Sequence, residues 1–274
     1  TLAYDVRRRG ESAEPPLFLV GSPMGAAGFP TLAGYFPDRT IVTYDPRGAE
    51  RSVKDDVTSP VDPEKHGDDI SAIIDAIGGG PVDMFASSGG AVNALALVAS
   101  HPGKVRTLVA HEPPLAFLLP EGEAARDACR AVAETYQQKG FGHGMAQFIA
   151  LISHEGPIPS GFAHLPYPAP GDMGMPEEDD GSRDDPLLGQ NMVTCTLFEP
   201  DLYALRASPT RIIVAAGEKS GNTLARRTSE ALADRLGLET TMLPGDHAAF
   251  LGGEYGETGE PEAFGPALRQ VLSG

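Results

Sequence analysis

The 274-residue chain contains no apolar run near the ~20 residues that a membrane-spanning helix needs, so no membrane partner is expected. Positive charge is scarce: 21 Lys and Arg stand against 38 Asp and Glu, a formal net charge of −17. Nucleic acid and anionic surfaces bind basic patches, so neither is an expected partner. Cysteine is nearly absent. The two present, Cys129 and Cys195, are far apart and lack metal-ligand spacing, which favours a reduced pair over a disulfide. No grouping of His, Cys and Asp suggests a metal, and no cofactor is expected. The chain opens with no secretory leader, and a cytoplasmic location is expected. Its first residue is Thr1 rather than Met, which leaves an upstream segment open.

What is present is enough apolar residue for one large domain, or a core with an insertion. Five short apolar runs read as buried strands: Leu17–Val20, Thr40–Tyr44, Val82–Ala86, Val105–Ala110 and Arg211–Ala215. A sixth, Glu239–Leu243, is weaker. Runs of this kind suit a parallel sheet covered on both faces. Helical patterns separate them at Asp68–Ile77, Ala91–Ser100 and Leu224–Leu236, with Asp68 and Asp69 expected in a first turn. Strand-helix alternation predicts a doubly wound α/β sheet with right-handed crossovers. The alternation breaks between Leu115 and Pro209, where helices are expected over Glu121–Gln138 and Met145–Ile152. The rest of that stretch is rich in Pro, Gly and acid, and Pro176–Gly181 reads as a solvated, mobile loop. The expected organisation is a core of residues 1–114 and 210–274 around an insertion of residues 115–209.

The chemistry centres on Val82-Asp83-Met84-Phe85-Ala86-Ser87-Ser88-Gly89-Gly90-Ala91-Val92. An apolar strand stops at small-x-Ser-x-small, and a small-residue helix follows. A strand-to-helix turn that tight accepts only Ala or Gly two positions either side of Ser88, and it lifts the hydroxyl off the sheet edge. A serine nucleophile needs a base, an acid that orients the base, and N–H donors for the oxyanion. His247, in Gly245-Asp246-His247, follows the last strand and is the base candidate; the other six His lie in less suitable contexts. The acid candidate is Glu112, which closes a strand in His111-Glu112-Pro113-Pro114, where two prolines would hold the carboxylate still. Glu218 is the runner-up. The oxyanion donors are the N–H of Gly89 and that of Ser22, in the loop Val20-Gly21-Ser22-Pro23-Met24-Gly25. That loop lacks the spacing of a phosphate cradle.

From about Leu17 onward the chain resembles the α/β-hydrolase superfamily. Gly21-Ser22-Pro23 is similar to the H-G-x-P loop, with Val20 in place of His. Asp45-Pro46-Arg47-Gly48-Ala49-Glu50-Arg51-Ser52 is similar to the D-x-R-G-x-G-x-S turn, with Glu50 in place of Gly. Ser88 falls at the nucleophile elbow, with Ala86 for its first Gly, and Gly245-Asp246-His247 at the histidine loop. The resemblance implies an acid after strand Arg211–Ala215, as Gly-x-x-Asp, but the chain has Gly217-Glu218-Lys219-Ser220. It also implies the triad order Ser88, Glu112, His247, nucleophile then acid then base, an acid one strand earlier being a variant of the superfamily.

The resemblance further implies a cap over the site, built from the insertion. Phe117, Leu118, Leu119, Met145, Phe148, Ile149, Met192 and Phe198 would either line its pocket or pack the cap onto the core. The expected activity is cleavage of a small ester, thioester or lactone through a Ser88 acyl-enzyme, with a small-molecule acyl substrate. A serine at the elbow argues against haloalkane dehalogenase or epoxide hydrolase chemistry. Cofactor-free perhydrolase or haloperoxidase-like activity and C–C hydrolysis use the same triad and stay open. So does a non-catalytic binding protein, for which Ser220 is the motive. An interaction scaffold built on the acidic loop has no support beyond charge. Substrate identity and oligomeric state are not legible.

Overall fold

In the computed structural model, which describes residues 1–8 and 13–274, every residue of the run Leu17–Val20 is wholly buried. This run is strand β2, and it lies between neighbours on both sides. The strands are β1 (Tyr4–Arg7), β2 (Leu17–Val20), β3 (Ile41–Tyr44), β4 (Val82–Ser87), β5 (Val105–His111), β6 (Arg211–Gly217) and β7 (Thr241–Leu243). They form one sheet in the order β1-β3-β2-β4-β5-β6-β7. All neighbours run parallel except β1, which pairs antiparallel with β3 at the edge.

The helices are α1 (Pro30–Gly34), α2 (Pro63–Ala76) and α3 (Gly89–Ser100), then α4 (Gly122–Lys139), α5 (Phe141–Ile152), α6 (Met192–Thr194) and α7 (Leu202–Ala207). Two more, α8 (Leu224–Leu236) and α9 (Pro261–Ser273), close the chain. Side chains alternate across each strand, and this alternation builds two cores. Phe18, Val20, Met84, Ala86 and Leu108 pack with Ile70, Ile74 and Leu95 of α2 and α3. Leu17, Leu19, Phe85 and Val109 pack on the other face with Leu32, Phe264 and Leu268 of α1 and α9. A third core lies mostly within the stretch from 115 to 209, where Ala128, Val132 and Tyr136 of α4 meet Leu151, Leu188 and Met192, and Leu224 of α8 joins it. The fold is that of the α/β-hydrolases.

Four local expectations are corrected. Strand β1 was not expected, because Tyr-Asp-Val-Arg has the charge that edge strands carry and lacks the apolar run of an interior one. Helix α2 starts at Pro63, a residue suited to the first helical position, so Asp68 and Asp69 lie beyond the first turn. Asp69 is buried there and takes both ends of the Arg47 guanidinium at 2.6 and 2.8 Å. Helix α5 starts at Phe141 rather than Met145, directly after Gly140, whose φ of +83° ends α4. The last strand is shorter than expected, covering only Thr241–Leu243. Residues 176–181 are all exposed, as expected of a solvated loop, and both cysteines are buried and free.

A charge is buried at the opposite edge of the sheet from the loops that follow the strands. Asp83, fully buried near the start of β4, accepts from Arg39 at 2.7 Å and from Arg106 at 2.8 and 2.6 Å. Removing one partner of such a cluster leaves an uncompensated buried charge. Asp83→Ala is therefore expected to lower the urea-derived unfolding free energy by about 3 kcal/mol or more. A loss below about 1 kcal/mol would contradict this account of the cluster.

Candidate active site

The chain leaves β2 to form β3 on one side and returns to form β4 on the other. At such a reversal, the loops after the two central strands diverge and open a crevice at their carboxyl ends. Ser22 follows β2 and Ser88 follows β4, so topology alone brings these two residues to one crevice.

Ser88 has φ 57° and ψ −128°, a conformation that side chains other than glycine rarely adopt. Strain of this kind costs of order 1–3 kcal/mol and persists only where the surroundings over-determine it. Here its N–H donates to the His111 carbonyl at 2.9 Å, and its own carbonyl accepts from Ala91 at 3.0 Å. Gly90 completes the constraint. A Cβ there would lie 2.6 Å from the Val20 carbonyl oxygen and 2.8 Å from the Gly21 Cα, so α3 can enter against the β2 loop only with glycine. Gly89 is as tight, with a Cβ position 2.6 Å from the Ser22 carbonyl oxygen.

Glu112 is fully buried at the end of β5 and also has a positive φ, 50°. Its Oε1 accepts from the Gly217 N–H at 2.8 Å, and its Oε2 lies 2.6 Å from His247 Nδ1. Burial pushes the Glu112 pKa up, but the hydrogen bond and charge of His247 outweigh it, and the carboxyl is held down at about 2. Burial likewise opposes the charged form of His247. The Glu112 hydrogen bond and charge, with a smaller pull from Asp246, raise its pKa above the ordinary imidazole value. His111 stacks on His247, with ring centroids 5.8 Å apart and planes 25° apart. Burial drives His111 down to about 4, so it lies neutral beneath its neighbour. Ser220, where the resemblance places an acid, is buried beside this pair; its hydroxyl makes no hydrogen bond of normal geometry and adds only a weak pull on Glu112. The runner-up acid, Glu218, is exposed, and the side-chain hydrogen bond and ion pair of His247 go to Glu112 instead.

Ser22, Ser88, Gly89, Glu112 and His247 line one cavity of about 550 Å³. Ser88 and His247 share it without hydrogen bonding to each other, as is common before a substrate draws the two together. Among the described residues, neither the Ser22 N–H nor the Gly89 N–H finds an acceptor within the chain. Of the eight apolar insertion residues expected to line the pocket or pack, Phe148 and Met192 reach the cavity. Phe117, Leu118 and Phe198 pack on the α2–α3 core, and Leu119 and Met145 on the insertion core. The sequence reading missed Asn191, a buried wall residue whose Nδ2 donates to Ser22 Oγ at 2.9 Å. The available signal was a polar pair, Gln190-Asn191, inside the apolar run Leu187–Leu197.

The Asp45–Ser52 turn supports the crevice from behind. Asp45 Oδ1 accepts from the Ala26 N–H at 2.8 Å, and Oδ2 from Arg51 Nε at 2.5 Å. Glu50, which stands where the resemblance has glycine, has the positive φ that glycine would supply, 48°.

Among the described residues, no group of three or more His, Cys, Asp or Glu could hold a metal ion, and no helix is long and apolar enough to cross a membrane.

No protein-family model matches the chain. It is 29% identical over 260 residues to the uncharacterized hydrolase YraK of Bacillus subtilis, covering 90% of this chain and 86% of that one. A solved structure of the putative non-heme bromoperoxidase BpoC from Mycobacterium tuberculosis matches with a TM-score of 0.65 and 19% identity, over 100% of this chain and 96% of that one. A thermophilic esterase from Thermogutta terrifontis matches with a TM-score of 0.66 and 18% identity, over 99% and 93%. With this sheet order, a strained serine at the β4–α3 turn and these likenesses, the chain has the α/β-hydrolase fold.

Proposed function

We propose that the protein is a serine hydrolase that cleaves a small ester, thioester or lactone. Ser88 attacks the carbonyl while His247 Nε2 takes its proton. The N–H groups of Ser22 and Gly89 hold the oxyanion, and Glu112 holds the imidazole by its other nitrogen. The leaving group takes a proton from His247 and departs. Water, deprotonated by His247, then attacks the acyl-enzyme and frees the acid and Ser88.

One observation supports this most: the 2.6 Å contact between Glu112 Oε2 and His247 Nδ1. It ties down one ring nitrogen and leaves the other for the cavity that Ser88 shares. It also leaves the binding-protein reading without its motive, since a carboxylate reaches His247 despite Ser220. The esterase among the structural neighbours agrees with this reading, and the bromoperoxidase among them keeps peroxide as a co-substrate to be assayed beside water.

Charge narrows the substrate. The cavity carries the exposed Glu155, Asp246 and Glu257, none in a salt bridge among the described residues, while Lys219 pairs with Glu260 at 2.6 Å. An anionic acyl group would meet like charge at the exposed mouth of the cavity, which favours an uncharged acyl group. Its near wall is apolar, from Phe148, Leu151, Leu187 and Met192.

Incubation with a fluorophosphonate should add one adduct mass to the wild type and none to Ser88→Ala. An unmodified wild type would count against an activated Ser88. Glu112→Gln preserves shape but removes the charge, and kcat for a short-chain 4-nitrophenyl ester should fall by on the order of 10³- to 10⁴-fold. The sign of the accompanying pH change follows from the raised His247 pKa. The base is active when neutral, so the rate climbs as pH rises through that pKa. Losing the carboxylate lowers it, and the acid limb of kcat/KM should move to lower pH in Glu112→Gln. A limb that stays put would sever His247 from Glu112.

A further inference from the structure

We infer that Asn191 is a positioning residue of the oxyanion hole, acting through Ser22, so that the hole is complete only while the helical insertion is seated on the sheet. The inference rests on the hydrolase reading above.

Asn191 ends a single π-helical turn, Leu187–Asn191, whose closing bond runs from the Asn191 N–H to the Pro186 carbonyl at 3.1 Å. Turns of this type are concentrated at functional sites, because the extra residue re-aims a side chain. The turn is anchored from both sides. Asp185 Oδ1 accepts from the N–H groups of Leu187 and Leu188 at 3.0 and 2.8 Å. Gln190 Nε2 donates to the Val57 carbonyl at 3.2 Å, and its Oε1 accepts from Lys54 at 3.2 Å, both in the loop after β3. Asn191 makes the second tie to the core, to the loop after β2.

That tie falls at the proposed oxyanion donors. Asn191 Nδ2 lies 2.9 Å from Ser22 Oγ, and 3.3 Å from where a Cβ of Gly89 would be. The amide therefore bonds one of the two residues whose N–H groups line the cavity, Ser22, and fills the space that a side chain at the other, Gly89, would enter. Ser22 is 6% exposed and Asn191 7%, so water competes little for this bond. Fixing Ser22 Oγ fixes the rotamer and backbone of a short loop whose N–H must sit about 3 Å from the oxyanion. Misplacing such a group by about 1 Å costs on the order of 10²-fold.

The experiment is steady-state hydrolysis of 4-nitrophenyl acetate across pH by the wild type, Asn191→Asp, Asn191→Leu, Ser22→Ala and the Asn191→Leu/Ser22→Ala pair, with thermal unfolding of each. Asn191→Leu should lose about 10- to 100-fold in kcat, with KM within about threefold and the acid limb unmoved, since Glu112 and His247 are untouched. Ser22→Ala, which keeps its N–H, should lose a similar factor, and the pair should lose no more than either alone. Asn191→Asp has nearly the same shape but places a carboxylate beside the developing oxyanion, so it should lose more than Asn191→Leu. A packing role predicts the reverse, with Asp close to wild type, and that result overturns the inference. Losses that multiply in the pair overturn it too, as does a rise in KM at constant kcat. If Asn191→Leu fails to fold, the Asp and Ser22 variants carry the test. A wild type that neither turns over the ester nor takes fluorophosphonate at Ser88 overturns the hydrolase reading and this inference together. An active, labelled wild type with indifferent Asn191 variants overturns this inference alone.

Discussion

An ionised carboxylate with no exposed surface is expensive, and the cost of burying Glu112 organises the C-terminal edge of the sheet. Desolvating such a group costs several kcal/mol, recovered only if its lone pairs are satisfied. Glu112 meets this condition with the Gly217 N–H on one oxygen and His247 on the other. Both partners demand structure. The first requires β5 and β6 to run side by side to their ends, which the register pairing His111 with Ala215 and the bond from the Glu112 N–H to the Ala215 carbonyl provide. The second requires the loop after β7 to return over the sheet, and Gly245, with φ +79°, makes that return. Glu112 itself takes a left-handed backbone to face inward rather than continue the strand. Stability and site geometry are thus one problem at this residue: the interactions that make the charge tolerable also fix the imidazole.

The same economy of constraints holds at the serine. Ser88 and Glu112 are strained residues at the ends of adjacent strands, and they are cross-linked by the bond from the Ser88 N–H to the carbonyl of His111. Neither conformation would persist alone. Together with Gly89 and Gly90 pressed onto the β2 loop, they form one tightly constrained patch at the carboxyl ends of the strands. Residues 115–209 form most of a third core, joined by Leu224 of α8, and two consecutive polar side chains, Gln190 and Asn191, tie the π-helical turn to the loops after β3 and β2.

Much of this was legible in the sequence because local rules and global fold agree there. The apolar runs gave the interior strands, since strands buried on both faces need no alternation. The elbow was legible because its steric limits leave few residue choices, which Gly90 illustrates. Glu112 could be named only by elimination, once Ser220 removed the expected acid, because nothing in His-Glu-Pro-Pro distinguishes a buried carboxylate from a surface link. Strand β1 was invisible because an edge strand resembles a loop in composition. The start of α2 was misplaced because the paired Asp68 and Asp69 look like first-turn acids, while one of them serves Arg47. Asn191 was illegible for a different reason: its meaning depends on a contact across 169 residues of sequence, which no local pattern carries.

The placement of charge separates the two ends of the sheet. At the amino ends, Asp83 is matched by two arginines and does no more than hold strands together. At the carboxyl ends, Glu112 is matched by one neutralisable imidazole and one amide, so its field is not cancelled but directed onto His247. A carboxylate paired with a permanent cation cannot tune a base, whereas one paired with a titratable ring must. Replacing Glu112 by a residue at Ser220 would move the source of that field from β5 to the loop after β6, beyond the Gly217 N–H that now holds it. The acid can occupy β5 in this chain because Ser220 leaves room beside His247 without bringing a second charge. Two carboxylates facing one imidazole would repel each other, and one would take up a proton. Serine at 220 is therefore compatible with glutamate at 112, where a second acid would compete with it.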